Sequence, residues 1–214
     1  MNTKVIIGAV ILLVLPFAFL ASKMINDRPS NEQSRKENTL NKQVNDKHMA
    51  NSKKVYIAGG CFWGMEDLFR NQKGILDTEV GYIGGKNENP TYENHPGHAE
   101  GIEITYDTTV TNFKNILDYF FRIHNPTTVN RQGNDIGSSY RSAIFYQNEE
   151  EKQTAEEMID IVNRSNRWDG KVVTTLEPYT RFWPAEDYHQ DYLVKKPNGY
   201  TCHFERFGTF LDEE

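Results

Sequence analysis

The chain has 214 residues, 24 Lys and Arg against 30 Asp and Glu, and two cysteines. An acidic balance with no basic stripe is a poor match for nucleic-acid phosphates. Two cysteines support neither a disulfide-dense miniprotein nor a four-cysteine zinc site. The average conceals two parts. Residues 1–54 carry nine basic and four acidic side chains, a net of +5, whereas residues 55–214 carry 15 and 26, a net of −11. Of 26 aromatics, 24 lie in the second part. Nothing repeats with a period of 20–50 residues, which argues against a solenoid. About 160 aromatic-rich residues suffice for one core and are too few for two ordinary domains.

Residues 5–21, Val5 to Ala21, are uncharged. As a helix they would reach roughly 26 Å, just short of a hydrocarbon core of about 30 Å. Residues 1–22 are therefore expected to be a signal anchor or signal peptide that places the protein at a membrane. Phe19 makes cleavage after Ala21 a poor fit, and no cysteine follows to carry a lipid. Residues 23–52 lack aromatics and are dense in Asn, Lys, Gln, Ser and Glu. Such a stretch cannot bury enough apolar surface to offset its chain entropy, so a disordered polar tether is expected. Lys4 favours an internal amino end, while Lys23, Arg28, Arg35 and Lys36 oppose it. The short basic start resembles a secretion signal, and an anchored or secreted, extracytoplasmic domain is the expectation.

Lys54 to Ala58 reads as a strand stopping at Gly59-Gly60, and a helix is expected from near Cys61. Thr78 to Ile83 reads as a strand. Ile102, Ile104 and Tyr106 alternate with Glu103 and Thr105, a strand with one buried face. Phe113, Ile116, Leu117 and Phe120 have amphipathic helical spacing. Ser142 to Tyr146 is a further strand. Asn148 before Glu149, Glu150 and Glu151 is an N-cap and acidic first turn for a helix through Val162. Val172 to Leu176 reads as a strand, and the tail from Pro178 is aromatic and irregular. Strands and helices mix without strict alternation. This predicts an α+β fold, a two-layer α/β sandwich of ferredoxin-like type with an irregular C-terminal segment.

The most informative stretch is Gly59-Gly60-Cys61-Phe62-Trp63-Gly64. Its glycines permit a tight strand-to-helix turn. A thiol at a helix amino terminus is expected to be stabilised as thiolate. A buried cysteine packed beside aromatics is the plain alternative. Gly-Cys-Phe-Trp-Gly closely resembles the active-site signature of the A-type peptide methionine sulfoxide reductases. Further segments resemble that family in its order. They are Val80 to Gly85, Gly97 to Glu100 followed by Ile104 to Asp107, Asn125 to Thr128 with Asn130 to Ser142, and Glu186 to Leu193 with Gly199 to Phe204. Gly101 and Ser139 stand where larger residues are common in the family. The resemblance covers about residues 54–207 and makes 53–214 the catalytic domain.

The resemblance implies that Cys61 attacks the sulfoxide sulfur. Glu100 would protonate the oxygen, which requires a desolvated carboxyl. Tyr82 and Tyr140 would donate hydrogen bonds to that oxygen. Asp135 would order the pocket, and Phe62 and Trp63 would hold the methyl group. Attack leaves a sulfenic acid on Cys61, and Cys202, the other cysteine, is the internal candidate to condense with it. A fixed structural disulfide is the alternative, closing a loop worth roughly 5 kcal/mol. Recycling implies an external dithiol, thioredoxin or a thioredoxin-like relay, and no metal or bound cofactor. The substrate that the resemblance implies is methionine S-sulfoxide, free or in proteins, and the enzyme is expected to be monomeric and to bind no nucleic acid.

Other readings of the same residues are open. Glu100 suits an exposed strand edge, Tyr82 and Tyr140 suit packing, and Asp135 suits a turn. His95 and His98 have metal-like spacing without further ligands. His189 fits a structural hydrogen bond better than a base. A different enzyme class is a cysteine hydrolase or thiol peroxidase, and a hydrolase would pair Cys61 with His98, His124, His189 or His203. A non-enzymatic module would grip methionine-containing segments through its aromatics.

Overall fold

A computed structural model describes residues 50–213. The anchor expected over 1–22 and almost all of the tether expected over 23–52 lie outside them. Among the described residues no helix is long and apolar enough to cross a membrane.

The fold is a mixed α/β arrangement on a six-stranded sheet. In chain order the elements are β1 (Ser52–Gly59), α1 (Phe62–Phe69), β2 (Ile75–Ile83), β3 (Ala99–Asp107) and α2 (Phe113–Ile123). Then follow β4 (Arg131–Gln132), β5 (Asp135–Ile136), β6 (Ser142–Tyr146), α3 (Glu149–Ser165), β7 (Thr175–Pro178), β8 (Phe182–Pro184) and α4 (Tyr192–Lys195). The sheet order is β7-β6-β1-β3-β2-β8, and β4 and β5 form a separate hairpin. Among the described strands only β6 and β7 run parallel, joined across α3.

Alternation along β1 feeds the two faces. Val55 and Ile57 join Ile102, Ile104 and Ile144 beneath Leu117, Phe120 and Met158 of α2 and α3. Tyr56 and Ala58 face the other way, with Ile83, Phe145 and Phe182. The N-caps of α2 and α3 are side-chain acceptors, Asn112 for the Asn115 N–H and Asn148 for the Glu151 N–H, each at 2.9 Å.

Two expectations need correction. β3 is buried on both faces, and even Thr105 is covered, because the strand lies between β1 and β2 in the middle of the sheet. The strand expected at Val172 begins only at Thr175. The Val172 N–H instead donates to Asn163 Oδ1 at 2.9 Å and the Val173 N–H to the Pro126 carbonyl at 2.8 Å.

Candidate active site

β1 ends at Gly59, and the chain turns through Gly60 at φ +110. A side chain there would strike Gln132, whose Cβ and Cγ would lie 2.5 Å from its Cβ. Gln132 is buried and props the turn by donating to the Gly59 carbonyl at 3.3 Å. Cys61 then takes the N-cap position of α1.

The thiol is 5% exposed. Burial, followed by the nearby Glu100 carboxyl, pushes it well above its ordinary range. The amides of Trp63 and Gly64 pull the other way, as a helix terminus should, but burial prevails. The expected resting thiolate is thus corrected to a thiol.

Glu100 stands on β3 directly opposite Tyr82 on β2, so the two side chains share a face. Glu100 is 2% exposed, and its Oε2 accepts the Phe62 N–H at 3.1 Å. Burial raises this carboxyl to about 8, the Phe62 amide opposes the rise, and Asp135 adds to it. It is a protonated acid at neutral pH beside the first turn of the cysteine helix. An exposed strand-edge carboxylate is excluded.

Tyr82 is fully buried and donates to Glu186 Oε2 at 2.9 Å. The other oxygen of Glu186 accepts the Tyr92 N–H at 3.0 Å. Tyr140 ends a single 3-10 turn, Ser138–Tyr140. Its hydroxyl is held protonated by burial and then by Glu100, which brings it into the same neighbourhood. Phe62 is buried with Val80, Tyr82 and Ala185, and Trp63 and Trp183 pack against them. Trp63 stacks on Tyr192 at 3.8 Å and 11°, and its indole N–H donates to His189 Nδ1 at 3.0 Å. His189 is therefore a structural partner of Trp63.

Both thiols are free. Cys202 lies in the irregular C-terminal segment, partly exposed. The Cys61 amide faces its sulfur closely enough to favour the thiolate, but burial, followed by Asp135, pushes the thiol up to about 12. Asp135 Oδ2 accepts the Tyr200 hydroxyl at 3.0 Å. The structure therefore gathers Cys61, Phe62, Trp63, Tyr82, Glu100, Asp135, Tyr140 and Cys202 in one locality. His95 and His98 turn to the carbonyls of Thr91 and Asn87, and His124 bonds the Phe120 carbonyl and Ser142.

Sequence reasoning missed Glu186, Tyr192, Gln132 and Gly64. The signal for Gly64 lies within the Gly-Cys-Phe-Trp-Gly run, where the strand-to-helix turn accounts for the glycines before Cys61 and leaves this one unexplained. A Cβ on Gly64 would lie 2.4 Å from Thr201 Oγ1 and 2.6 Å from His203 Nδ1. This glycine lets the C-terminal segment seat on α1.

Known proteins point the same way. A family model described as peptide methionine sulfoxide reductase matches residues 53–209. The peptide methionine sulfoxide reductase MsrA of Mycobacterium sp. (strain MCS) is 59% identical over 74% of this chain and 92% of its own. Mxr1 of Saccharomyces cerevisiae in reduced form superposes with a TM-score of 0.69 at 35% identity, covering 74% of this chain and 94% of that one. The same yeast protein solved in complex with Trx2 gives a TM-score of 0.52 at 26% identity over 74% and 92%.

Proposed function

The chain belongs to the peptide methionine sulfoxide reductase family, and from that premise we propose how its residues carry out the reaction. It is a methionine sulfoxide reductase. The substrate is methionine S-sulfoxide, free or within oxidised proteins, the epimer assigned to A-type enzymes. The observation that carries the mechanism is the buried Glu100 carboxyl bonded to the Phe62 amide beside Cys61, where burial favours its protonated form.

In the first step Cys61 sulfur bonds to the sulfoxide sulfur while Glu100 gives its proton to the oxygen. The Cys61 thiol proton then restores the acid. Collapse passes the oxygen to Cys61 as a sulfenic acid and releases methionine. The Tyr140 hydroxyl donates to the developing oxyanion. Tyr82 joins it by exchanging its bond to Glu186. Phe62 and Trp63 enclose the methyl group, and Asp135 orders the polar side of the pocket.

Cys202 condenses with the sulfenic acid to give a Cys61–Cys202 disulfide. Two free thiols in one locality support that pairing over a fixed structural bridge. A thioredoxin or thioredoxin-like dithiol returns the pair to thiols, a reading supported by the yeast relative's complex with Trx2. No bound cofactor or metal takes part. The order β6-β1-β3-β2, with α1 and α2 between strands, supports a ferredoxin-like two-layer core with β7 and β8 added at its edges. Residues 5–21 act as a membrane anchor or a secretion signal, and the domain works outside the cytoplasm, anchored or secreted. The uncharged run supports an anchor or signal, and the short basic start ahead of it, Lys4 with the terminal amine, supports the side.

The test is incubation of the purified protein with separated sulfoxide epimers and dithiothreitol. Methionine is expected from the S epimer alone. Equal release from both overturns the stereochemical assignment.

A further inference from the structure

Two residues before Cys61, the Gly59 carbonyl lies 2.9 Å from Nε2 of His203. A carbonyl oxygen only accepts, so the neutral imidazole carries its proton on Nε2 and a lone pair on Nδ1. Nδ1 lies 3.4 Å from Cys202 Sγ. The ring is 5% exposed, and its backbone N–H donates to Thr201 Oγ1 at 3.1 Å. Gly64 leaves the room that the ring needs. A side chain next in sequence to the second cysteine is thereby anchored to the strand that leads into the first.

From this geometry we infer that His203 is the base that takes the Cys202 thiol proton as Cys202 attacks oxidised Cys61. The inference rests on the reading of Cys202 as the resolving thiol. The Cys202 S–H bond breaks and its proton passes to Nδ1. The S–S bond forms, the S–O bond of the sulfenic acid breaks, and the oxygen leaves as water with a proton from Glu100. His203 then loses its proton to solvent, and Glu100 regains one. The sulfenic sulfur is reduced and the Cys202 sulfur oxidised, so no further oxidant is needed.

At rest, burial pushes His203 down to about 4 while Cys202 stands near 12. A neutral thiol then faces a neutral imidazole, and the proton moves only as the new bond forms. The other titratable and charged groups around the ring are Asp135, which favours its protonation, Arg206, which opposes it, and the neighbouring His124. Asp135 also touches the Cys202 thiol and is the competing acceptor, with Oδ2 already taken by Tyr200.

The experiment mixes the reduced enzyme with one equivalent of methionine sulfoxide without reductant. It follows methionine, trapped sulfenic acid and free thiols from pH 5 to 7, above the His203 value of about 4 and below the Glu100 value of about 8. In the wild type, disulfide formation should be flat across this range. In His203→Gln it should fall about 100-fold or more relative to the methionine burst. Sulfenic acid should accumulate, and the residual rate should climb about tenfold per pH unit as thiolate attack takes over. A merely structural loss would slow the step without creating that slope. An unchanged rate in His203→Gln overturns the inference, as does a slope that appears only in Asp135→Asn. If the variant does not fold, the wild type decides, since a tenfold rise per unit in its own profile removes the base. Absence of methionine defeats the reductase reading itself. Methionine without a Cys61–Cys202 disulfide defeats the resolving role and this inference with it.

Discussion

The two cysteines sit in unlike surroundings. Cys61 is fixed by backbone, at the end of a central strand and the start of a helix, with a carboxyl from the neighbouring strand over it. Cys202 belongs to no helix or strand. It is held by side chains: His203 on the Gly59 carbonyl, Tyr200 on Asp135, and Arg206 on the carbonyls of Ile123 and Cys202 itself. The difference teaches a division of labour. The attacking thiol is built by the fold, and the resolving thiol is tied to it by a few polar contacts that single substitutions can cut.

The largest effect should come from exchanging the two sulfurs separately. Cys61→Ser should abolish methionine release altogether, and retained turnover sinks the mechanism. Cys202→Ser should release about one methionine per enzyme and then stall with thioredoxin. Sustained thioredoxin-driven turnover removes Cys202 from the cycle. Next, Glu100→Gln should slow sulfoxide reduction in a single turnover by about 10²- to 10⁴-fold, with substrate binding far less affected. An unchanged rate reassigns the acid.

A smaller effect concerns stability. Glu100 releases its proton near pH 4.5 when unfolded and near 8 when folded. Between these values the unfolded chain binds fewer protons, so stability falls as pH rises, by up to about 1.4 kcal/mol per unit. Glu66, buried in α1 and raised to about 7, adds the same sign over a narrower window. Denaturant midpoints from pH 5 to 8 should therefore decline less steeply in Glu100→Gln than in the wild type. Identical slopes contradict a buried neutral Glu100. The smallest effect is at the pocket wall. The Trp63–Tyr192 stack is worth about 0.5–1.5 kcal/mol, so Tyr192→Ala should raise KM for methionine sulfoxide about three- to tenfold with kcat little changed. A fall confined to kcat places Trp63 elsewhere in the cycle.

The regular half of the molecule was largely legible in the sequence. Ser142–Tyr146 matches its expected strand, and Asn148 caps α3 as its position before three glutamates implied. Hydrophobic period and capping chemistry are local, so they can be read locally. The tail was not legible in this way. β8 and α4 are three and four residues long, too short to show a period, and their side chains are chosen by what they touch across the fold. Glu186 opens a segment that resembles the family, but nothing local in that segment gives it a partner, and only the fold shows its carboxylate bridging Tyr82 and the Tyr92 amide. The thiolate expectation failed for a related reason. A helix terminus is visible in sequence, whereas the depth of burial that outweighs it is not.

The bond from His203 to Gly59 spans 144 positions of chain. During synthesis the strand and helix carrying Cys61 emerge early, and the residues that seat against Gly64, Thr201 and His203, come much later. The reaction centre is thus closed by nearly the final part of the domain to be made. Contacts of such separation are the slow ones in folding. Acquisition of the complete thiol pair therefore reports that the whole domain has folded.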